Sequence, residues 1–303
     1  MLRPMLWRVL ALAVFAAATA PLHATEVYQV STISSLLAGG YDGDTTVGEL
    51  LRHGNFGLGT FNGVDGEMMV LDGEAYRGTV DGRAHVVAAS ELTPFAVVVA
   101  LDPQGSVPVA TGQSLEQLGA ALDALPYSAS RVLAARVNGH FRAITLRSEP
   151  KQQPPYRPLA DVMKAQQVVH TIEEVEGTLI GFRFPAAASS VNVAGWHFHF
   201  LSADKTRGGH VLGLTTGAGV VLLEEFSDLL IRFPPHAPAG KRERRRDQGG
   251  GAPALEGRRC ALRTRLATAA PPPQFFCIAS KMGPAAIPLL SGLARVDISS
   301  PRK

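Results

Sequence analysis

The 303 residues carry a formal net charge of only +3, but that sum hides two unlike parts: residues 237–303 hold 13 Lys/Arg against 4 Asp/Glu, leaving an acidic body before them. A basic arm for nucleic acid is one reading of that tail, at odds with the export signal described next. The only two cysteines, Cys260 and Cys277, both lie in the tail, so the body holds together without disulfides. Past the N-terminal segment, no stretch is long and apolar enough to span a membrane.

Residues 1–24 read as a secretory signal. Arg3 and Arg8 flank the start of an apolar run over residues 9–20, and small residues follow up to Ala24. The run falls short of the ~20 residues a spanning helix needs, so the protein is expected to be cleaved after Ala24 and to work in a bacterial periplasm or outside the cell. What remains is long enough for one large domain or two modest ones.

Thr46 and Glu49 form a capping box ahead of Leu50-Leu51, with Gly54 as the stop. Short β-type runs follow at 56–61, 68–71, 75–79 and 85–88. They are punctuated by Asn62-Gly63, Asp65-Gly66, Asp72-Gly73 and Asp81-Gly82, the dipeptides of successive hairpins. Residues 95–101 read as a buried strand. Ser114 and Gln117 cap a second helix expected to reach about Leu125. Strand character returns at 131–137 and 141–147. Residues 148–156, with Pro150, Pro154 and Pro155, read as a linker, and 159–170 as an amphipathic helix. Strands at 177–184, 195–201, 210–214, 220–224 and 226–233 complete an α+β body with mixed or antiparallel β-sheets and few helices. The expected division is an N-terminal α/β domain over 25–150 and a C-terminal, β-rich, metal-binding domain over 151–235. Residues 236–303 show no helical or strand period. They read as a disordered extension or as the product of a reading frame lost near His236.

Residues 196–210 concentrate the chemistry, reading Trp-His-Phe-His-Phe-Leu-Ser-Ala-Asp-Lys-Thr-Arg-Gly-Gly-His. Alternate side chains of a strand share a face, so His197 and His199 point one way while Trp196, Phe198 and Phe200 point the other. Their Cα atoms then stand roughly 6.5–7 Å apart, close enough for two imidazoles to converge on one ion at ~2.0–2.1 Å. The polar segment ending in Gly208-Gly209 turns the chain back and offers His210 as a third ligand on a neighbouring strand. Two histidines on a half-buried strand face are also explained as satisfied polar groups; the third histidine and the aromatic backing favour a metal. The pattern alone leaves open a cupin-like metal oxygenase, a zinc hydrolase or lyase, and a non-catalytic exported metal-binding domain.

Taken in order, several segments resemble the α-acetolactate decarboxylase family. They are Gly57-Leu-Gly-Thr-Phe61, Asp65-Gly-Glu-Met68, Leu71-Asp-Gly-Glu-Ala-Tyr76 and Gly139-His-Phe141 leading to Leu146-Arg147. Pro154-Pro-Tyr156 with Pro158-Leu159, and Gly195-Trp-His-Phe-His199 followed by Gly209-His210, continue the series. The resemblance covers residues 27–233. It implies decarboxylation of 2-acetolactate to acetoin and carbon dioxide, a two-domain α/β fold usually found as a dimer, and a zinc ion on His197, His199 and His210. It further implies that Glu67 and Arg147 face the metal, Glu67 as a candidate acid and Arg147 as a grip on the departing carboxylate, with Thr60 hydrogen-bonding the substrate. Without the family, Asp65-Gly66-Glu67 reads as a hairpin turn with a solvated carboxylate, and Arg147 as a surface charge. In one respect the chain departs from the pattern of the family it resembles, which carries a second active-site glutamate near the C-terminus. The tail's carboxylates here, Glu243, Asp247, Glu256 and Asp297, stand in no matching motif. The expected partners are the small-molecule substrate and a second copy of the chain, with neither nucleic acid nor membrane after signal cleavage.

Overall fold

The computed structural model describes residues 26–234 apart from Gln104; the expected signal segment and the basic tail lie outside the described residues. The chain opens with β1 (Glu26–Val30), α1 (Ile33–Leu37), β2 (Thr45–Thr46) and α2 (Val47–Leu50). A hairpin series follows: β3 (Phe56–Thr60), β4 (Glu67–Leu71), β5 (Glu74–Gly78) and β6 (Ala84–Val86). Next come β7 (Leu92–Thr93), β8 (Ala96–Val99), β9 (Ser106–Val109), α3 (Leu115–Asp123) and the long β10 (Val132–Ser148). The last elements are α4 (Leu159–Gln166), β11 (Val168–Phe184), β12 (Gly195–Ser202), β13 (Gly208–Phe226) and β14 (Asp228–Arg232).

Local chemistry explains many of these boundaries. Asp72 and Gly73 take φ of 54° and 79°, the paired positive values that a two-residue turn needs to match strand twist. Thr46 Oγ1 accepts from Glu49 N at 3.1 Å to start α2, and Ser114 and Gln117 cap α3 reciprocally.

The α+β class is as expected, with two main sheets. The first has the order β14-β1-β8-β3-β4-β5-β6, antiparallel except for the parallel β1–β14 pair. The second runs β10-β11-β12-β13-β9, and β10 also pairs with β13, so strands β10 to β13 close into a ring of hydrogen bonds. Phe141, Phe198, Phe200 and Leu223 of this ring pack with Leu118 and Leu122 of α3. Its other face meets the first sheet in a shared core of Phe56, Leu58, Met69, Val97, Ile180, Phe182, Leu201 and Phe226. Along β4, Met69 and Leu71 join that shared core while Met68 and Val70 pack on the far side with Val47 and Leu50 of α2. Glu67, in phase with Met69, therefore points toward the second sheet.

Several expectations change. The helix expected over 159–170 stops at Gln166, and residues from Val168 onward already belong to β11, paired along β10. Val168, Val169, Thr171 and Ile172 are β-branched and suit a strand better than a helix. The runs at 131–137 and 141–147 are one strand, β10, which passes Asn138-Gly139-His140 through register irregularities instead of turning. In the same way 210–214 and 220–224 are both part of β13. The sheets do not divide near residue 150. β9 and β10 precede that point yet build the second sheet, and β14 follows it yet returns to the first.

Between the sheets, β5 comes very close to β13. A Cβ on Gly78 would lie 2.7 Å from the Gly208 carbonyl oxygen and 3.1 Å from Gly209 Cα. Gly78→Ala is therefore expected to cost about 1–3 kcal/mol, the usual range for overpacking. Urea unfolding at an unchanged midpoint would contradict this close approach.

Candidate metal centre

Strand alternation sends Phe198 and Phe200 into the ring core and turns His197 and His199 toward the first sheet. His210, near the start of β13, is in register with His199 on one side and with Arg147 on the other. The three imidazole centroids lie 5.0, 4.8 and 5.4 Å apart, and one ligand atom from each ring falls within 4.8 Å of the others.

Hydrogen bonding fixes how these rings present their nitrogens. His199 Nδ1 lies 2.8 Å from the Met68 carbonyl. A carbonyl only accepts, so Nδ1 is the donor and Nε2 keeps a lone pair. That Nε2 is buried and without a hydrogen-bond partner, as is His197 Nδ1. His197 Nε2 and His210 Nδ1 face each other at 3.0 Å. Burial keeps the imidazoles neutral. It pushes His199 down to about 4, with Arg147 adding to the effect. It also lowers His197 and His210 well below the usual value, helped by the Arg147 cation and by the repulsion that a proton on a neighbouring imidazole would add. Neutral, converging nitrogens with an orphaned lone pair are what a divalent transition-metal ion requires, and the residues fit one.

Around the histidines stand the other sequence-predicted groups. Glu67 is no solvated hairpin carboxylate; it is 5% exposed. Its Oε2 lies 3.4 Å from His199 Nε2 and its Oε1 3.9 Å from Arg147 Nε. Arg147 Nε is buried without a hydrogen-bond partner. Thr60 sits opposite Glu67 across the β3–β4 pair. Its hydroxyl donates to the Gly66 carbonyl at 2.7 Å, bracing the turn that delivers Glu67.

Sequence reasoning missed Glu149, placing it in a linker. Its side chain is 3% exposed, and its carboxyl acts electrostatically on that of Glu67. The available signal was alternation: Arg147 and Glu149 are two residues apart at a strand end and so tend to one side. Burial raises Glu67 well above the usual carboxylate range, and the neighbouring Glu149 charge adds to this. Burial likewise raises Glu149 to about 7, against the pull of Arg147. The pair thus shares a proton, as like charges held together in a buried place must. An open groove of about 500 Å³ lined by Ser106, Tyr127, Leu223 and neighbours shares no residue with this centre.

Residues 27–241 match the sequence profile of the family described as Alpha-acetolactate decarboxylase. The chain belongs to that family. A relative from Methylococcus capsulatus is 44% identical over 209 residues, covering 69% of this chain and 80% of that protein. One from Klebsiella aerogenes is 40% identical over 208 residues, with the same coverage of 69% and 80%. The crystal structure of alpha-acetolactate decarboxylase from Bacillus subtilis strain 168 superposes with a TM-score of 0.67 at 33% identity, covering 69% of this chain and 89% of that one. Membership makes the protein an enzyme of the carboxy-lyase class and sets aside the oxygenase and non-catalytic readings that the histidine pattern alone left open.

His199→Ala removes the imidazole anchored from both sheets. It is expected to abolish stoichiometric divalent-metal binding, measured by elemental analysis on protein with unchanged far-UV circular dichroism. Full metal retention would identify the cluster as a set of satisfied polar side chains.

Proposed function

We propose that the enzyme decarboxylates 2-acetolactate to acetoin and carbon dioxide at a zinc ion held by His197, His199 and His210. The observation that carries this reading is the gathering of three imidazoles, a guanidinium and a buried carboxyl in one nest.

When bound, zinc supplies Lewis-acid stabilisation of the negative charge that loss of carbon dioxide leaves beside the substrate's ketone. Imidazole ligands suit this task because, unlike carboxylates, they cancel none of the ion's charge. The other parts of the reaction fall to the chain's own groups. Arg147, whose Nε makes no hydrogen bond, offers a planar fork to the substrate carboxylate and turns it out of the plane of the ketone. The carbon–carbon bond then breaks, its electron pair passing toward the ketone as carbon dioxide leaves. Glu67, kept protonated by burial, returns a proton to one face of that carbon as a general acid and regains its own from water. This one-sided delivery sets the hand of the acetoin. Thr60, its O–H committed to Gly66, offers the substrate an acceptor lone pair only.

Arg3, Arg8 and the apolar run after them support export to the periplasm or the medium. The basic tail, lacking a glutamate in the family's C-terminal motif, lowers turnover in this reading.

Signal-free protein is expected to form acetoin and carbon dioxide from racemic acetolactate, to stop on chelation and to recover with zinc but not with iron. Acetoin formation indifferent to chelators overturns the metal reading. Replacing residues 236–303 by the corresponding segment of the Methylococcus capsulatus relative is expected to raise kcat; no gain removes the tail from the account. Glu67→Gln is expected to lower kcat roughly 10²–10⁴-fold, the range for a lost general acid, with metal content retained. Arg147→Lys is expected to lower kcat/KM about 10–100-fold, as loss of a charge-assisted hydrogen bond does. Unchanged kinetics in either variant would remove that residue from the mechanism.

A further inference from the structure

The nest lies along one row that crosses four strands. His199 on β12 is paired with His210 on β13, His210 with Arg147 on β10, and Arg147 with Val169 on β11. Directly paired residues of antiparallel strands carry their side chains on the same face, so Val169 stands beside Arg147 as Arg147 stands beside His210. An irregularity between β10 and β11 brings this about. Their ladder is interrupted between the Phe141–Val175 and Ala143–Glu173 pairs, where Glu174 takes a φ of 47°, and both strands exchange faces there. On one side of it Ala135, Val137 and Leu179 turn into the ring core; on the other, Ile144, Leu146 and Ile172 do. Arg147 and Val169 alternate with the second set and so face away from that core.

Exposure along the row runs one way. His199 is 1% exposed, His210 is half-buried, the Arg147 side chain is 22% exposed and Val169 is 48% exposed. Toward the first sheet the nest meets Thr60 and Glu67, both buried. Along β11 in the other direction, Ile180 and Phe182 flank His199 and His197 and are buried as well. Two residues from Arg147 and Val169, Thr145 and Thr171 form a matching pair with their hydroxyls 3.1 Å apart, and Thr171 is exposed. Water therefore reaches the row from its β11 end.

We propose that the edge of β11 at Val169 is the mouth of the site, where the substrate's carboxylate passes from solvent to Arg147, and that the side chain at this position sets how strongly the anion is captured. This rests on reading Arg147 as the group that grips the carboxylate. Val169 carries neither charge nor a hydrogen-bonding group, so the last neighbour before the guanidinium neither attracts nor repels a small 2-hydroxy-3-oxo acid anion. A carboxylate in its place would oppose entry, and an ammonium would assist it. Val169 takes no part in bond breaking; its influence is on capture.

The test uses the full chain with its metal and compares Val169→Glu, Val169→Lys and Leu230→Glu. Initial rates of acetoin formation are followed in about 0.01 M and about 1 M salt, between which the screening length falls from about 30 Å to about 3 Å. In low salt Val169→Glu is expected to raise KM about 3–10-fold and Val169→Lys to lower it by a similar factor, with kcat moving less. Both replacements lengthen the side chain, so the ratio of their KM values, about 10–100-fold, cancels the added size. In high salt that ratio should fall toward one. Leu230 is also exposed but lies on β14, at the far end of the first sheet, and Leu230→Glu should keep the parent's KM. A ratio near one in low salt overturns the proposal, as does an equal shift in Leu230→Glu or a ratio that salt leaves unchanged. Arg147→Lys with the parent's kcat/KM overturns the carboxylate grip as well, which separates the two failures.

Discussion

The hydrogen bond from His199 Nδ1 to the Met68 carbonyl is the joint on which the site depends. Such a bond contributes about 0.5–1.5 kcal/mol net, but its effect on geometry is larger. It crosses between the two sheets, assigns the lone pair of His199 to Nε2, and aims that atom at the nest. Because Met68 follows Glu67, the same bond sets the distance at which the glutamate meets the histidines. Proteins that bind metals through histidine commonly fix the second ring nitrogen in this way; here the fixing group belongs to the opposite sheet.

The nest's charge follows from its construction. Its imidazoles are neutral because packing removes water from them, and Arg147 reinforces this. The two carboxyls cannot both ionise in the same confined place, so they hold a proton between them. Lone pairs, one fixed cation and a stored proton sit side by side with little competing charge. Polar groups aimed in advance at the place where charge develops are effective because they need not reorganise during the reaction. In the reading given above, Arg147 meets the charge that is lost and Glu67 the carbon that must be reprotonated.

Much of the fold is legible locally. Asp72-Gly73 supplies the positive φ values of its turn, and Ser114 with Gln117 caps its helix whatever surrounds it. Other features resist because they depend on partners far along the chain. Asn138-Gly139-His140 separates two runs of strand character, yet β11 and β13 flank it on both sides and hold the chain extended as one strand. Residues 167–170 read as the end of a helix until β10 offers them a ladder. Glu149 sits among prolines and reads as linker, and only the bond to Gly66 and the contact with Glu67 reveal a buried carboxyl.

By itself the sequence determined that His197 and His199 share a face backed by Phe198 and Phe200, since strand alternation follows from the backbone alone. It also determined the hairpins, the caps and the family, which rest on short motifs read in order. Only the tertiary structure decided that Glu67 is buried and not solvated, and that its carboxyl lies under the influence of Glu149. Those outcomes depend on how closely two sheets approach, and that distance is set where Gly78 meets Gly208 and Gly209, residues 130 positions apart in the chain. No local pattern records such a contact, because its energy comes from groups that become neighbours only after the chain has folded.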